Sequence, residues 1–131
     1  ALYNRRALEV RAPRLLDEVS PARPGALLLI DIDNFKLVND LYGHSAGDRL
    51  LVALSEMIRT ALPQDALAAR LGGDEFVILL GNASRERIVG LGSVLREQFQ
   101  TTATKTFETP EAVTLSIAPT CSNSRPRAWR P

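Results

Sequence analysis

Residues 66–80 read Ala-Leu-Ala-Ala-Arg-Leu-Gly-Gly-Asp-Glu-Phe-Val-Ile-Leu-Leu, two apolar runs separated by a short polar centre. Gly72 and Gly73 lie between the runs, and glycine accepts the positive φ angles of a tight hairpin turn. We therefore predict two antiparallel strands, over Ala66–Leu71 and Glu75–Leu80.

Asp74 and Glu75 follow the glycines, so the predicted turn presents two neighbouring carboxylates. Either one can bind a metal ion or accept a proton, and the glycines let a ligand approach the backbone closely. The same residues equally describe an ordinary hairpin turn with solvated charges. The local pattern alone does not distinguish a chemical role from a structural one.

A second apolar run, Ala26–Ile32, ends among acids, Asp31 and Asp33. The run predicts a central strand buried on both faces, and alternation along it would place both acids on one side. Carboxylates there are costly unless they are solvated, paired or bound to a metal ion. A helix predicted from Asn34 would offer free N–H groups to an anion, with Lys36 in reach of a phosphate. A capped strand end beside a solvated Lys36 is the structural alternative.

Apolar periodicity and turn residues predict the remaining elements. We expect Leu37 and Leu41 to face the core from the helix that begins at Asn34, and Pro13 to kink or break the first helix. The order of elements indicates an α+β fold, a mixed α/β sandwich. The other predicted helices cover residues 4–20, 46–62 and 84–100, and the other predicted strands cover residues 101–107 and 112–117.

Asn39 and Asp48 lie on either side of Gly43, which fits the end of a helix. The Asp48 carboxylate could accept hydrogen bonds from N1–H and the N2 amine of a guanine, and the Asn39 amide could pair with the remaining edge atoms. Alternatively, Asp48 supports a helix start and His44 bonds a backbone carbonyl. The spacing does not decide between these interpretations.

The composition excludes several classes of protein and site. The 131 residues match one domain, and 45% hydrophobic with 24% charged residues is ordinary for a globular chain. No apolar run approaches the roughly 20 residues of a membrane helix, and a formal net charge of +1 gives no bulk attraction for nucleic acid or an anionic membrane. A single cysteine and a single histidine leave carboxylates as metal ligands, which indicates a hard ion such as Mg²⁺.

Taken together, these stretches resemble the GGDEF-domain family, the diguanylate cyclases. The signature Gly72–Phe76 is intact, and Asp31 opens an Asp-Ile-Asp-x-Phe-Lys stretch that is typical of the family. Several motifs in the family's order make the resemblance specific over residues 2–117. The further matches are residues 2–6, 39–48 and 113–117.

The resemblance implies a fold and a reaction. The fold is a nucleotidyl-cyclase-like sandwich, in which helices flank a mostly antiparallel central sheet. The reaction joins two molecules of GTP into cyclic di-GMP and releases pyrophosphate. It requires Mg²⁺, with Mn²⁺ as an alternative ion, and it takes place across a homodimer with one GTP in each half-site.

The resemblance also assigns roles to residues. Asp31, Asp74 and the Ile32 carbonyl would bind the metal ion, and Asp74 or Glu75 would help to deprotonate the attacking 3′-hydroxyl. The implied substrate-binding residues are Asn39 and Asp48 for guanine, the backbone at Asn34 and Phe35 with Lys36 for the phosphates, and Gly72 and Gly73 at the turn.

Two of the departures from the family pattern bear on function. The product-inhibition motif, Arg-x-x-Asp, falls on Pro63 and Ala66, which predicts that feedback through that site is absent. The family also continues beyond Ile117 with a helix and with phosphate-binding Lys and Arg, whereas residues 118–131 predict an irregular, Arg- and Pro-rich tail. We therefore expect an incomplete GGDEF domain over residues 1–117, followed by that tail.

Two functions remain open from the sequence. One is an active diguanylate cyclase, and the alternative is a catalytically impaired GGDEF domain that serves as a GTP-binding or protein-interaction module. We expect an upstream sensory or regulatory domain in the parent protein, and a cytoplasmic location because GTP is the substrate, although the parent itself could be membrane-anchored. Neither nucleic acid nor direct membrane contact is expected from this segment.

Overall fold

The computed structural model describes residues 2–107 and 113–122. Within these ranges the helices and strands form an α+β arrangement, which confirms the predicted fold class. No helix in the described ranges is both long and apolar enough to cross a bilayer. In chain order the elements are β1 (Tyr3–Asn4), α1 (Arg5–Asp17), β2 (Gly25–Ile32), α2 (Phe35–Tyr42), α3 (His44–Ala61), β3 (Ala66–Gly72), β4 (Glu75–Leu80), α4 (Arg85–Phe107) and β5 (Leu115–Ser122).

The strands form one sheet in the order β1-β3-β4-β2-β5. Strand β1 is parallel to β3, and the other neighbouring pairs in the described part of the chain are antiparallel, as predicted. The predicted hairpin joins β3 to β4, with Gly72 opposite Glu75. Because β2 lies between β4 and β5, Asp31 pairs with Glu75 on one side and with Ser116 on the other. The end of β2 and the hairpin turn therefore meet at one edge of the sheet.

Different helices cover the two faces of the sheet. On one face, α2, α3 and α4 bury alternate side chains of β2 and β4, with Leu28, Ile30 and Ile78 fully enclosed. On the other face, α1 packs on β3 and β4 through Leu8 and Leu16. This division follows from the pleat of the strands, which directs successive side chains to opposite faces.

Strand β2 is buried on one face only, so the prediction of burial on both faces is wrong. Leu29 lies on the same face of the sheet as α1, and 47% of its surface is exposed. Helix α1 packs against Ala69, Val77 and Leu79 of β3 and β4, and it does not cover Leu29. The sheet is therefore covered unevenly, and the apolar run alone does not reveal this.

Leu37 and Leu41 are 40% and 60% exposed, so the prediction that they face the core is wrong. Helix α2 has only eight residues, and it enters the core through Val38, with Phe35 packed alongside. A helix this short presents one narrow stripe to its neighbours, and Leu37 and Leu41 lie off that stripe.

Helix α1 runs through Pro13, so of the predicted kink or break the break is wrong. Leu8, Ala12 and Leu16, which lie before and after the proline, are all buried on the same face of the sheet. Tertiary packing therefore offsets the hydrogen bond that proline removes. The helix begins where Asn4 Oδ1 accepts a hydrogen bond of 2.8 Å from the amide of Ala7.

Helix α4 continues to Phe107, so the strand predicted over residues 101–107 is wrong. Leu95, Phe99 and Ala103 are buried in the core at helical spacing. This packing outweighs the preference of the intervening threonines for strands.

Strand β5 continues to Ser122. The prediction of an irregular tail from residue 118 is therefore wrong for residues 118–122. The strand pairs along its whole length with residues Ile32 to Gly25 of β2, and this pairing satisfies its backbone hydrogen-bonding groups. The local sequence alone does not indicate this pairing. The expected tail beyond residue 122 and the predicted strand start at residue 112 lie outside the described residues.

Candidate active site

The β3–β4 turn depends on its two glycines. Gly72 has a φ of +154° and Gly73 a φ of +51°, values that residues with a Cβ rarely adopt. Arg70 Nε donates a hydrogen bond of 2.8 Å to the Gly73 carbonyl, and the strand register shifts between Arg70 and Gly72. The turn thereby holds Asp74 at the edge of the sheet.

The carboxyl groups of Asp31, near the end of β2, and of Asp74, in the turn, lie close enough to share a hydrogen bond. Such a bond requires a proton on one of the two carboxyl groups. This hydrogen bond, partial desolvation and the negative charges of Asp74, Glu75 and Asp33 raise the pKa of Asp31 to about 6. A divalent cation would offset these negative charges and so favour the ionised form of Asp31.

The donor atoms here fit a hard divalent cation. Carboxylate and carbonyl oxygens are the ligands that Mg²⁺ takes, together with substrate phosphates and water. Over the described residues, no cluster of three or more Asp, Glu, His or Cys side chains is arranged for a metal ion. The ligands that the family resemblance implies are Asp31, Asp74 and the Ile32 carbonyl, and the structure brings the carboxyl groups of the first two together.

Asp33 has different partners from Asp31. Its Oδ2 accepts a hydrogen bond of 2.6 Å from Thr114 Oγ1, and its Oδ1 accepts one from Ser116 Oγ. Its backbone amide donates a hydrogen bond of 2.8 Å to the Thr114 carbonyl. The two acids that the sequence placed on one side thus act separately: Asp31 engages the hairpin turn, and Asp33 engages β5.

Helix α2 begins just after Asp33, with Asn34 as the residue that precedes its first turn. Asn34 has a φ of +59°, in the left-handed region, and turns the chain sharply from β2 into the helix. The first helical hydrogen bond, 3.2 Å long, runs from the amide of Val38 to the carbonyl of Asn34. The N–H groups of Phe35 and Lys36 therefore precede the helical ladder, at the positive end of the helix dipole, and the Lys36 side chain is exposed.

Asn39 lies one helical turn beyond Phe35, about 6 Å along the axis of α2. A Cβ on Gly47 would lie 1.9 Å from Asn39 Oδ1 and 3.2 Å from Phe35 Cζ, so the glycine leaves the space that the amide occupies. Gly43, with a φ of +89°, joins α2 to α3. Asp48 follows Gly47 and is exposed. The fold thus brings Asn39 against the turn of α3 that carries Asp48.

A cavity of about 330 Å³ borders this edge of the sheet. Asp31, Glu75 and Ser116 are its polar lining residues, and apolar groups of β2, β3, β4 and β5 form the remainder. The predicted substrate-binding residues, such as Lys36 and Asn39, do not line this cavity.

Sequence analysis missed three contributions to the site. They are the hydrogen bond from Arg70 to the turn, the absence of a side chain at Gly47 that makes room for Asn39, and the hydroxyl groups that donate hydrogen bonds to Asp33. The alternation of hydroxyl residues at Thr114 and Ser116 is the signal that could have indicated the last of these, because alternate residues share a face of a strand.

Comparison with known proteins identifies the family. A family model described as diguanylate cyclase, GGDEF domain, matches residues 1–128. The chain belongs to the GGDEF family. This GGDEF chain is 38% identical to diguanylate cyclase DgcM of Escherichia coli K12 over 96 residues, which cover 72% of the chain and 23% of DgcM. It is 37% identical to a diguanylate cyclase of Vibrio cholerae O1 over 94 residues, or 72% of the chain and 27% of that relative. The chain therefore spans about a quarter of the length of these two relatives.

Solved GGDEF structures share the fold. The diguanylate cyclase SiaD of Pseudomonas aeruginosa, solved in complex with its activator SiaC, matches with a TM-score of 0.79 and 30% identity, over 92% of this chain and 46% of SiaD. The GGDEF domain of DgcB from Caulobacter crescentus, solved in complex with c-di-GMP, matches with a TM-score of 0.80 over 93% of this chain and 77% of that one. Its identity of 24% shows likeness of fold alone. The predicted family is confirmed.

Proposed function

We propose that this GGDEF domain is a diguanylate cyclase, which condenses two molecules of GTP into cyclic di-GMP in a Mg²⁺-dependent reaction. The observation that carries the proposal is the close pair of carboxyl groups of Asp31 and Asp74, held at the sheet edge by the glycine turn. Two neighbouring carboxyl groups are suited to a divalent cation, and phosphoryl transfer depends mainly on such a cation and on positioning.

The proposed metal ligands are Asp31, Asp74 and the Ile32 carbonyl, with Mn²⁺ as an alternative ion. When bound, the ion would neutralise charge on the phosphates. Asp74 or Glu75 would accept the proton of the attacking 3′-hydroxyl, and both lie at the turn, where a substrate can approach. Gly72 and Gly73 would let the substrate lie close to the backbone.

The proposed substrate contacts extend along α2 and into α3. The N–H groups at Asn34 and Phe35, together with Lys36, would bind the phosphates, because they lie at the positive end of α2. Asn39 and Asp48 would bind the guanine edge through their amide and carboxylate groups. The packing of Asn39 against Gly47 supports this assignment, since it holds the amide beside the turn of α3 that carries Asp48.

Ring closure requires two copies of the domain. Each 3′-oxygen attacks the α-phosphorus of the other GTP, so two new P–O bonds form, two bonds to pyrophosphate break and two pyrophosphates leave. We propose that a homodimer brings the two half-sites together. The initial rate should then rise with more than the first power of protein concentration in the range where dimers dissociate.

The test is incubation of the purified chain with GTP and Mg²⁺, followed by detection of cyclic di-GMP by mass spectrometry. Asp74→Ala should lower the rate by about 10²–10³-fold, the typical loss for a group that stabilises charge in the transition state. Asp65→Ala is a matched control at the opposite end of β3, where the exposed carboxylate lies 3.8 Å from Arg87 and contributes little. This control should retain activity.

GTP binding without product would support the alternative, a catalytically impaired GGDEF domain that binds GTP or a protein partner. The absence of both binding and product would contradict the cyclase proposal and the GTP-binding module alike. We further propose that the parent protein carries an upstream sensory or regulatory domain and acts in the cytoplasm, where GTP is available; the greater length of the relatives supports additional domains.

A further inference from the structure

Asp33 is the acid at this edge of the sheet to which the proposed reaction gives no role. Both of its carboxylate oxygens accept hydrogen bonds from β5 or the residue before it, one from Thr114 Oγ1 at 2.6 Å and one from Ser116 Oγ. Its amide also donates to the Thr114 carbonyl at 2.8 Å. We name these three residues, Asp33, Thr114 and Ser116, the β2–β5 clamp. Side chain and backbone of Asp33 are thus held by one short segment 81 residues further along the chain.

The clamp lies between the two halves of the proposed site. Ile32, which would supply a carbonyl to the metal ion, directly precedes Asp33 and pairs with Leu115. Asn34, which follows, turns the chain into α2 with a φ of +59°, a conformation that is disfavoured for residues with a Cβ. A backbone of this kind persists only when its surroundings hold it in place, and the clamp provides such support.

The same contacts direct Asp33 away from the metal-binding role. Two hydroxyl donors occupy lone pairs on both of its oxygens, whereas the Asp31 carboxyl group lies beside that of Asp74. Ser116 is paired with Asp31 in the strand register, so its hydroxyl lies beside the metal-binding end of β2 while it bonds Asp33. The two acids of the Asp-Ile-Asp segment therefore have distinct partners.

Resting on the proposed cyclase function, we propose that Asp33 is a positioning residue. Through Thr114 and Ser116 it holds the Ile32 carbonyl and the start of α2 in the geometry that metal ion and phosphates require. It does not itself ligate the metal ion.

The decisive variant is Thr114→Val/Ser116→Ala, which removes both hydroxyl donors and leaves every acid in place. Thr120→Val is its matched control, because Thr120 is exposed on the same strand but pairs with Leu27, away from the site. Asp33→Asn keeps an acceptor oxygen for the hydroxyls and removes the charge, and Asp31→Asn is the reference for the loss of a proposed metal ligand. Each protein is measured by titration with Mn²⁺ alone, followed by electron paramagnetic resonance, by the Mg²⁺ concentration that half-saturates turnover, and by thermal unfolding.

We expect the double variant to bind Mn²⁺ about tenfold more weakly and to need about tenfold more Mg²⁺. Its rate at saturating Mg²⁺ should fall less than its affinity for the ion. Thr120→Val should match the wild type, and Asp33→Asn should lie between them. The melting temperature of the double variant should stay within a few degrees of the Thr120→Val control.

Three outcomes would overturn the inference. A double variant with unchanged Mn²⁺ affinity, whatever its melting temperature, would show that the clamp is only structural. An Asp33→Asn variant that loses as much affinity as Asp31→Asn, beside an unaffected double variant, would make Asp33 a ligand. A wild type that binds no Mn²⁺ would show that the proposed metal site does not exist.

The proposed function and the positioning role can fail separately. A wild type that yields no cyclic di-GMP but shows the expected order of Mn²⁺ affinities would refute the cyclase and support the clamp. An active wild type with equal Mn²⁺ affinities in all variants would support the cyclase and refute the clamp.

Discussion

The substitution Gly47→Ala should weaken GTP binding while leaving the fold intact. The new Cβ would lie 1.9 Å from Asn39 Oδ1 and 2.9 Å from Asn39 Cγ. Real Cβ contacts are not shorter than 3.0 Å, so the amide oxygen has to move by at least about 1 Å. The obstacle is the end of a side chain and not backbone, so the amide can rotate away and the helix can persist.

The magnitudes can be worked from the same geometry. A shift of about 1 Å breaks a hydrogen bond of normal length, and one lost hydrogen bond to guanine costs about 1 to 1.5 kcal/mol, or roughly a five- to tenfold rise in the Kd for GTP. Alanine is favoured over glycine inside a helix by about 1 kcal/mol, which offsets the displacement of Asn39. The free energy of unfolding should therefore change by less than about 1 kcal/mol.

The assay is calorimetric titration of GTP in the presence of Mg²⁺, with denaturant unfolding in parallel. Gly90→Ala is the matched control, because its Cβ, in the second turn of α4, would meet nothing within 4 Å. This control should gain stability and bind GTP as the wild type does. Unchanged GTP affinity in Gly47→Ala would refute the reasoning, and so would a loss of stability well above 2 kcal/mol, which would mean that Asn39 cannot move.

Three further predictions concern the turn, the carboxyl pair and product feedback. Gly73→Ala should lower the free energy of unfolding by about 1 kcal/mol, because φ is +51° there; chemical denaturation checks this, and a gain in stability like that expected for Gly90→Ala would contradict it. The pKa of Asp31 is raised from 3.8 to about 6, so the folded state binds the extra proton in that window. The unfolding free energy of the wild type minus that of Asp31→Asn should thus fall as pH rises through about 6 without metal, and Mg²⁺ should reverse the fall; a pH-independent difference would refute it. Because Pro63 and Ala66 occupy the positions of the inhibition motif, added cyclic di-GMP should leave the initial rate unchanged in a pyrophosphate-release assay, and strong inhibition would reveal another product site.

The hairpin was predictable because its information is local. Two apolar runs of strand length and two glycines leave few other conformations for residues 66–80, and β3 and β4 lie within a residue of the predicted bounds. The family, too, could be identified from motifs in their order, since the GGDEF residues carry the resemblance directly.

Elements whose class depends on distant packing were predicted less well. Residues 101–107 contain threonines that favour strands, yet Phe99 and Ala103 are buried at helical spacing and extend α4. Strand β5 extends to Ser122 because β2 offers a full-length partner. Leu29, Leu37 and Leu41 are exposed because no helix of the described chain covers them.

By itself, the sequence determined the fold class, the glycine turn and the list of acids and amides at the candidate site. The tertiary structure decided which of those groups meet. It brought Asp31 beside Asp74, and it bound Asp33 to the hydroxyl groups of Thr114 and Ser116 at the start of β5. Turn geometry follows from neighbouring residues, whereas the partner of a carboxylate depends on strand order and register, which arise only when the whole sheet assembles.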